Sequence, residues 1–140
     1  MPRTITSFVD EYAFLSNFYM YSGTTVETEF QAAKAVNDQD KRWVLESPTP
    51  GEAKRRGRQI QLRGDWEQEK NNVMLDLLRD KFTDPELRAK LIATGDALIV
   101  EGNTWHDNYW GDCECPNCAG RPGRNQLGRL LTQVREEIQQ

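Results

Sequence analysis

The sequence has few of the residues that build metal centres and none of the long apolar runs that anchor proteins in membranes. Among 140 residues it has one histidine, His106, and three cysteines. No apolar run approaches the roughly 18 residues that a membrane helix needs, and Met1–Thr6 lacks the apolar core of a signal peptide. A histidine-rich centre or relay is therefore not expected, and acid–base chemistry falls to carboxylates, lysine or tyrosine. We expect a soluble, cytoplasmic protein that does not bind membranes.

The chain also has no excess of positive charge. Its formal net charge is −4 and its pI is about 5.1, which argues against a generic nucleic-acid coat. Basic residues are nevertheless clustered at Lys54, Arg55, Arg56, Arg58 and Arg63. Such a patch on an acidic protein fits a compact phosphate-bearing ligand better than a long polyanion, although it can also be ordinary solvated helix surface.

Length and patterning predict a helix-rich α+β fold with a small β-sheet, in a single domain over residues 1–140. No internal repeat or low-complexity linker interrupts the chain. The predicted helices, in chain order, are 27–37, 41–46, 49–60, a helix capped by Asp65 and reaching Leu78, 84–95 and a last helix after Asn125. The other predicted elements are strands at 5–8 and 97–100, a hairpin around Ser22-Gly23, a loop at 10–17 and a turn at Gly102-Asn103.

The most informative segment is the predicted helix that begins at Glu27. It carries Glu27, Gln31 and Lys34 at positions i, i+4 and i+7, which project from one face of a helix. A carboxylate, an amide and an amine in one row can bind a sugar and protonate or attack its glycosidic carbon. The alternative is that the row is the solvated side of an amphipathic helix.

A second candidate segment, Arg63–Trp66, joins a basic group, a carboxylate and a large aromatic side chain at a helix start. A helix N-terminus favours anionic ligands. Alternatively, neither residue binds a ligand: Asp65 only caps its helix, and Trp66 belongs to the core.

A polar loop, Glu101–Gly111, follows a predicted buried strand and contains three large aromatic residues. Trp105, Tyr109 and Trp110 are candidate stacking platforms for a base, or they fold back to cover a core edge. Glu101 is a second carboxylate candidate. Further along, Asn125 is a natural cap for the last helix, whose free amides could receive a phosphate.

The segment Cys113–Cys118 contains all three cysteines, two of them spaced as in one half of a zinc site. Cys113, Cys115 and Cys118 supply three ligands, and His106 can supply the fourth. A closed set of thiolates would make zinc a structural clamp rather than a catalyst. The alternative is three free or redox-labile cysteines in a reducing compartment.

Taken together, these segments resemble the NADAR family, named for predicted links to NAD and ADP-ribose. The pieces follow family order and cover nearly the whole chain. They are Phe14–Tyr19, Val26–Lys34, Thr49–Arg58, Arg63–Met74, Lys81-Phe82, Leu91–Asp96, Val100-Glu101, Trp110-Gly111, Gly123–Gly128 and Leu130–Arg135. The cysteine segment is longer than the link that the family leads us to expect between the Trp-Gly piece and the Gly-x-Asn-x-Leu-Gly piece.

The resemblance implies an N-glycosidase, a hydrolase that cuts the bond between ribose C1 and a base nitrogen. Some members of the family remove ADP-ribose from modified guanine, and others act on ribosylamino-pyrimidine phosphates of the riboflavin pathway. We expect the first reaction, on ADP-ribosylated guanine in DNA, RNA or a free nucleotide, with a functional link to an ADP-ribosyltransferase. Alternatives from other classes are a module that binds ADP-ribose without cutting it and a structural zinc protein.

For this reaction we expect Glu27 and Lys34 to be the catalytic pair. Glu27 would stabilise an oxocarbenium-like transition state. Lys34 would act as an acid, or would form a Schiff base with the ring-opened sugar if burial lowers its pKa. Glu101 or Asp65 would orient water or the ribose hydroxyls. No cofactor is expected for catalysis.

The expected binding groups come from several segments. Trp66 and Trp110 would flank the base or sugar, and Ser16, Asn17 and the helix start at Asn125 would hold phosphate. The full set of expected substrate-binding residues is Ser16, Asn17, Phe18, Gln31, Arg63, Trp66, Trp110, Gly111, Asn125 and Gly128.

Overall fold

The structure, a computed structural model, describes residues 3–140. The helices are α1 (Val26–Ala33), α2 (Asp38–Leu45), α3 (Pro50–Gly57), α4 (Trp66–Lys81), α5 (Pro85–Ala93) and α6 (Gln126–Gln139). The strands are β1 (Thr4–Ile5), β2 (Leu98–Ile99), β3 (Gly102–Asn103) and β4 (Asp112–Cys113), and a 3₁₀ helix spans Asp10–Leu15, where the sequence predicted a loop. The predicted α+β class, rich in helix, is confirmed. Within residues 3–140, none of the helices combines the length and apolarity needed to cross a membrane.

The strands form two separate parallel pairs instead of one small sheet. β1 pairs with β2, with Ile5 opposite Ile99, and β3 pairs with β4, with Asn103 opposite Cys113. The predicted turn at Gly102-Asn103 is therefore wrong. The amide of Gly102 donates to the carbonyl of Thr6, and the carbonyl of Asn103 accepts from Glu114, so both residues are held extended by segments distant in the sequence.

The predicted hairpin around Ser22-Gly23 is reduced to one antiparallel bridge between Tyr21 and Thr24. Both turn residues have positive φ, 50° at Ser22 and 79° at Gly23. This backbone geometry is the one that a two-residue hairpin turn requires.

Polar side chains set the starts of the first three helices. Thr25 caps α1, Asn37 caps α2, and Thr49 caps α3 as the sequence predicted, with Pro50 at the first helical position. The helix predicted over 27–37 ends earlier, at Ala33. Its last residues leave the helix because Ala35 pairs with Leu62 and Asn37 already caps the next helix.

The chain divides into two compact units. The middle unit is Asn17–Leu77, and the terminal unit joins Met1–Ser16 with Leu78–Gln140. The single domain inferred from the sequence stays a prediction.

In the middle unit, α1, α2 and α3 pack against one another. Ala32, Val44 and Ala53 form their buried centre, with Ile60 packed against it. The small alanine side chains let these short helices approach closely.

In the terminal unit, α6 packs against β2 and α5. The apolar stripe predicted for this helix is present, since Leu127, Leu131 and Val134 are buried. Arg135 on the same helix is buried as well, and its guanidinium donates to the hydroxyl of Thr94 at 2.9 Å.

Candidate active site

The predicted row on α1 is buried rather than solvated. Glu27 is 8% exposed and Gln31 is 5% exposed. The Gln31 amide donates a 2.8 Å hydrogen bond to a carboxylate oxygen of Glu27, and the backbone amide of Glu27 donates to the carbonyl of Asn17. The alternative of a wet helix face is therefore wrong for these two residues, because a solvated face would leave both side chains in water.

Lys34 follows at the C-terminal end of α1 and is half-buried. Burial is the main cause that lowers the pKa of Lys34 below its ordinary value. The charge of Glu27 acts in the opposite direction, while the nearby cations Arg58, Lys54 and Lys70 lower the pKa further. The amine thus lies in the field of one carboxylate and three cations.

Two buried oxygens beside this row lack a hydrogen-bond partner within the described residues. They are Oε1 of Gln31 and Oδ1 of Asn17. The amide nitrogen of Asn17 contacts the sulfur of Met74 at 3.6 Å. Buried polar atoms are normally paired, because an unpaired one costs free energy. The Gln31 oxygen lies against Gly57, where a Cβ would overlap it, so close packing holds this side chain beside Glu27.

Arg63 and Asp65 form a two-point ion pair, with nitrogen–oxygen distances of 2.6 and 2.9 Å. The Arg63 hydrogen bond holds the pKa of Asp65 below its usual value. The backbone amide of Arg63 donates to the carbonyl of Lys34 at 2.9 Å, and its guanidinium reaches the carbonyl of Ala33. Arg63 therefore holds the end of α1 that carries Lys34.

The aromatic residues predicted in the middle unit have opposite exposures. Trp66 is 5% exposed, and its ring centroid lies 5.0 Å from that of Phe30, which favours the core alternative. Phe18 is exposed and remains accessible to a ligand.

In the terminal unit, the carbonyl of Ser16 accepts a 3.0 Å hydrogen bond from the amine of Lys81. Lys81 is fully buried, and desolvation lowers its pKa to about 7. Sequence reasoning did not single out this lysine. Its only signal was its place beside Phe82 in one of the pieces that resemble the family.

Glu101 lies where several backbone segments meet. Its backbone amide donates to Oδ1 of Asn125, and its carboxylate accepts from the side chain of Asn103 at 3.3 Å. Gly111 packs directly against Glu101, and a Cβ at position 111 would overlap both the carboxylate and the carbonyl of that residue. Glycine is thus required for this close approach.

Asn125 was predicted to cap the last helix, and this is wrong. Its backbone is left-handed, with φ of 51°, and its side chain makes no capping bond to α6. The side chain instead donates to the carbonyl of Ile99 at 2.9 Å and accepts from Glu101. Gly128 lets α6 approach the same carbonyl, since a Cβ there would overlap it.

The first amides of α6 already have acceptors. Gln126 donates to the carbonyl of Tyr109 and Leu127 to that of Trp110, at 3.0 and 2.9 Å. These two amides are therefore not available to bind the phosphate that the sequence predicted at this helix start. Trp110 is half-buried and packs edge-on against Tyr109, whereas Trp105 is 58% exposed.

His106 and the three cysteines converge in the terminal unit. One ligand atom from each of the four residues lies within 4.8 Å of the others, so the cluster can hold a metal ion. Burial raises the pKa of Cys113, but hydrogen bonds, above all from the backbone of Cys115, lower it more, to about 7.

Comparisons with known proteins agree with the resemblance found in the sequence. A family model of the NADAR domain matches residues 6–139. N-glycosidase YbiA of Escherichia coli (strain K12) is 37% identical over 151 residues, covering 99% of this chain and 91% of that protein. The NMR structure of E. coli YbiA superimposes with a TM-score of 0.81 and 37% identity, covering 99% of this chain and 87% of that one. The riboflavin biosynthesis protein VVA0006 of Vibrio vulnificus is 35% identical over 94% of this chain, which spans 37% of that protein.

Proposed function

Since the chain belongs to the NADAR domain family and is an N-glycosidase, we propose that it removes ADP-ribose from ADP-ribosylated guanine. The observation that carries this proposal is the buried hydrogen bond between Glu27 and Gln31, with the amine of Lys34, the C-cap of the same helix, in the field of that carboxylate. A hydrolase that acts at an anomeric carbon needs a carboxylate near the developing positive charge.

The charges around Lys34 support a phosphate-bearing substrate. Lys54, Arg58 and Lys70 all influence its pKa, so three cations lie close to the amine. Lys70 is also paired with Glu67 at 2.8 Å, which leaves Lys54 and Arg58 as the stronger candidates for phosphate contacts. Guanidinium and ammonium groups are the usual partners of phosphate oxygens. These charges support a substrate that carries a diphosphate, such as ADP-ribose.

The lowered pKa of Lys34 favours a nucleophilic amine. Neutral Lys34 attacks ribose C1, and the electron pair of the C1–N bond leaves on the guanine nitrogen, which takes a proton from the new ammonium. The lone pair of the lysine nitrogen then forms a double bond to C1 while the bond from C1 to the ring oxygen breaks. The proton of this nitrogen passes to the ring oxygen, which leaves a neutral imine. Water then adds to C1, and Glu27 takes a proton from the water and passes it to the imine nitrogen. A second proton follows the same path as the C1–N bond breaks, so Glu27 is a carboxylate again and the products are open-chain ADP-ribose, unmodified guanine and neutral Lys34.

The remaining predicted residues take supporting roles in this proposal. Gln31 holds the Glu27 carboxylate, and the Arg63–Asp65 pair holds the chain end beside Lys34. Glu101 stays a candidate for orienting water. The reaction needs no cofactor, since zinc bound by three thiolates and an imidazole would have its four positions filled. We also propose a cytoplasmic location, where thiols stay reduced, and a functional link to an ADP-ribosyltransferase that makes the substrate.

The test uses an ADP-ribosylated guanine oligonucleotide and measures the release of ADP-ribose. Glu27→Gln and Lys34→Ala should each lower kcat/KM by about 10²- to 10⁴-fold, because each loses a group that acts on the reacting carbon. Glu29→Gln on the same helix and exposed Lys41→Ala are matched controls, and thermal melting checks folding. Full activity of both site variants would remove the assignment.

Borohydride separates the imine route from direct attack by water. Reduction during turnover should leave a stable adduct on the wild-type protein and none on Lys34→Ala, as measured by intact mass. Wild-type protein that turns over substrate without trapping an adduct would favour a role for Lys34 as an acid.

A second candidate reaction is supported by the relative named a riboflavin biosynthesis protein. In this reaction the substrate is a ribosylamino-pyrimidine phosphate, which presents one phosphate instead of two. Comparing kcat/KM for this nucleotide with that for ADP-ribosylated guanine decides between them. Retention of ADP-ribose without release of a base from either substrate would instead indicate a binding module.

A further inference from the structure

Four metal-binding side chains point to one centre in the segment between β3 and α6, which includes β4. The Nδ1 atom of His106 lies 3.3 Å from the sulfur of Cys115, 3.4 Å from that of Cys118 and 4.0 Å from that of Cys113. All four ligand atoms lie within 4.8 Å of one another. We propose that these residues form a structural zinc site that fixes the loop against the start of α6, independent of the reaction assigned to α1.

The spacing of the ligand atoms matches zinc. Zinc–sulfur bonds of about 2.3 Å and zinc–nitrogen bonds of about 2.0 Å place tetrahedral ligand atoms roughly 3.5–3.8 Å apart. The distances from the His106 nitrogen to the sulfurs of Cys115 and Cys118 are 0.1–0.2 Å shorter than the lower limit of this range, and the distance to the sulfur of Cys113 is 0.2 Å longer than its upper limit, so small shifts bring all three into it. Cys113 and Cys118 are buried while His106 is exposed, so the centre lies just below the surface.

A disulfide explains the arrangement less well. A bond between any two of the cysteines would leave the third thiol and the imidazole facing it without a role. A single ion satisfies all four groups at once. Three thiolates and one imidazole form a closed set, which is typical of structural zinc rather than catalytic zinc.

Asn108 connects the cluster to the rest of the loop. Its amide nitrogen lies 3.4 Å from the sulfur of Cys118, and its side-chain oxygen accepts from the backbone of Cys113 at 2.8 Å. Its carbonyl accepts from Arg124, the residue before Asn125. Zinc bound by the cysteines therefore restrains the residues that precede α6, including the one that holds the backbone of Glu101.

The first experiment measures metal content and cobalt binding under reducing conditions. Wild-type protein should carry about one zinc per chain. Cobalt exchanged into the site should give the visible absorption of tetrahedral thiolate coordination. Cys118→Ser and His106→Ala should lose most of the metal, while Asn117→Ala, an exposed residue of the same loop, should retain it. Wild-type protein without zinc that also fails to bind cobalt would overturn the proposal.

The second experiment separates a structural ion from an ion bound only at the surface. A chelator should lower the melting temperature of wild-type protein by roughly 5 °C or more, since binding free energy at such a site is folding free energy. It should leave Cys118→Ser almost unchanged. Equal melting temperatures with and without chelator, in protein shown to lose its zinc, would contradict the structural role. Neither readout depends on substrate turnover, so both stand if the proposed reaction is wrong.

Discussion

The two compact units bring their polar groups together in different ways. In the middle unit, Glu27 and Gln31 meet because they are four residues apart on one helix. In the terminal unit, Glu101 and Asn125 meet although they are 24 residues apart, through a hydrogen bond made by a left-handed residue. The first arrangement follows from helix geometry, whereas the second needs several backbone segments to be in place at once. We therefore expect mutations to affect mainly activity in the middle unit and mainly stability in the terminal unit.

The largest expected effect is that of Gly111→Ala in the terminal unit. The new Cβ would overlap the carbonyl of Glu101, which is backbone and cannot rotate away. We expect the free energy of unfolding to fall by about 3 kcal/mol, at the upper end of overpacking costs. Denaturant unfolding measures the change.

Gly64→Ala in the middle unit is the control for this substitution. A Cβ at position 64 has open space around it and should change stability little. Equal stability of the two alanine variants would contradict the view that the loop of the terminal unit depends on close backbone contacts.

The next effect concerns the pH dependence of stability, in which the buried Lys81 can be separated from the half-buried Lys34. Burial lowers the pKa of Lys81 from 10.5 to about 7. Between these values the unfolded chain holds a proton that the folded protein has lost, so stability rises with pH. The rise should be about 2 kcal/mol between pH 7 and pH 9. Below pH 7 both states are protonated, and the cost of burying the charge is fully present.

Urea unfolding of wild-type protein and of Lys81→Met at pH 7, 8 and 9 measures this rise. The variant should lack the contribution of Lys81, and because both proteins retain Lys34, the difference isolates Lys81. A constant difference in stability across this range would show that Lys81 does not titrate there.

The smallest expected effect is that of Gln31→Leu, which removes the amide that donates to Glu27. We expect kcat/KM to fall about 10-fold, or about 1.4 kcal/mol, because a hydrogen bond of this kind contributes about that much. Stability should fall by about 1 kcal/mol, less than for Gly111→Ala, since leucine fills the buried space and removes an oxygen that lacks a partner, which offsets part of the lost hydrogen bond to Glu27.

Two further variants sharpen the test of Gln31. Gly57→Ala should lower activity in the same direction, since its Cβ would displace the Gln31 side chain. Gln39→Leu, at an exposed position of α2, should not. A loss of stability in Gln31→Leu with unchanged kcat/KM would contradict the expectation that mutations in the middle unit affect mainly activity.

Capping residues and helical spacing predicted much of the local structure of the middle unit. Thr49 and Pro50 mark the start of α3, and the spacing of Glu27 and Gln31 predicted that their side chains share a face. The sequence did not reveal that this face is buried, because burial depends on α2 and α3 packing against α1.

The terminal unit was harder to predict from the same signals. Asparagine is a common helix cap, but the left-handed backbone of Asn125 directs its side chain to Ile99 and Glu101 instead. Gly102-Asn103 has the composition of a turn, but pairing with β4 holds it extended. In both cases contacts with distant segments outweigh the local preference.

The sequence alone determined the helix-rich class, the family, the row of polar residues on α1 and the three cysteines with one histidine, because these depend on spacing within short segments. Only the tertiary structure decided that Glu27 is buried, that the amine of Lys34 is partly desolvated and that His106 faces three sulfurs. Burial and convergence are set by which distant segments pack together, and desolvation energies follow from that packing rather than from the order of the residues.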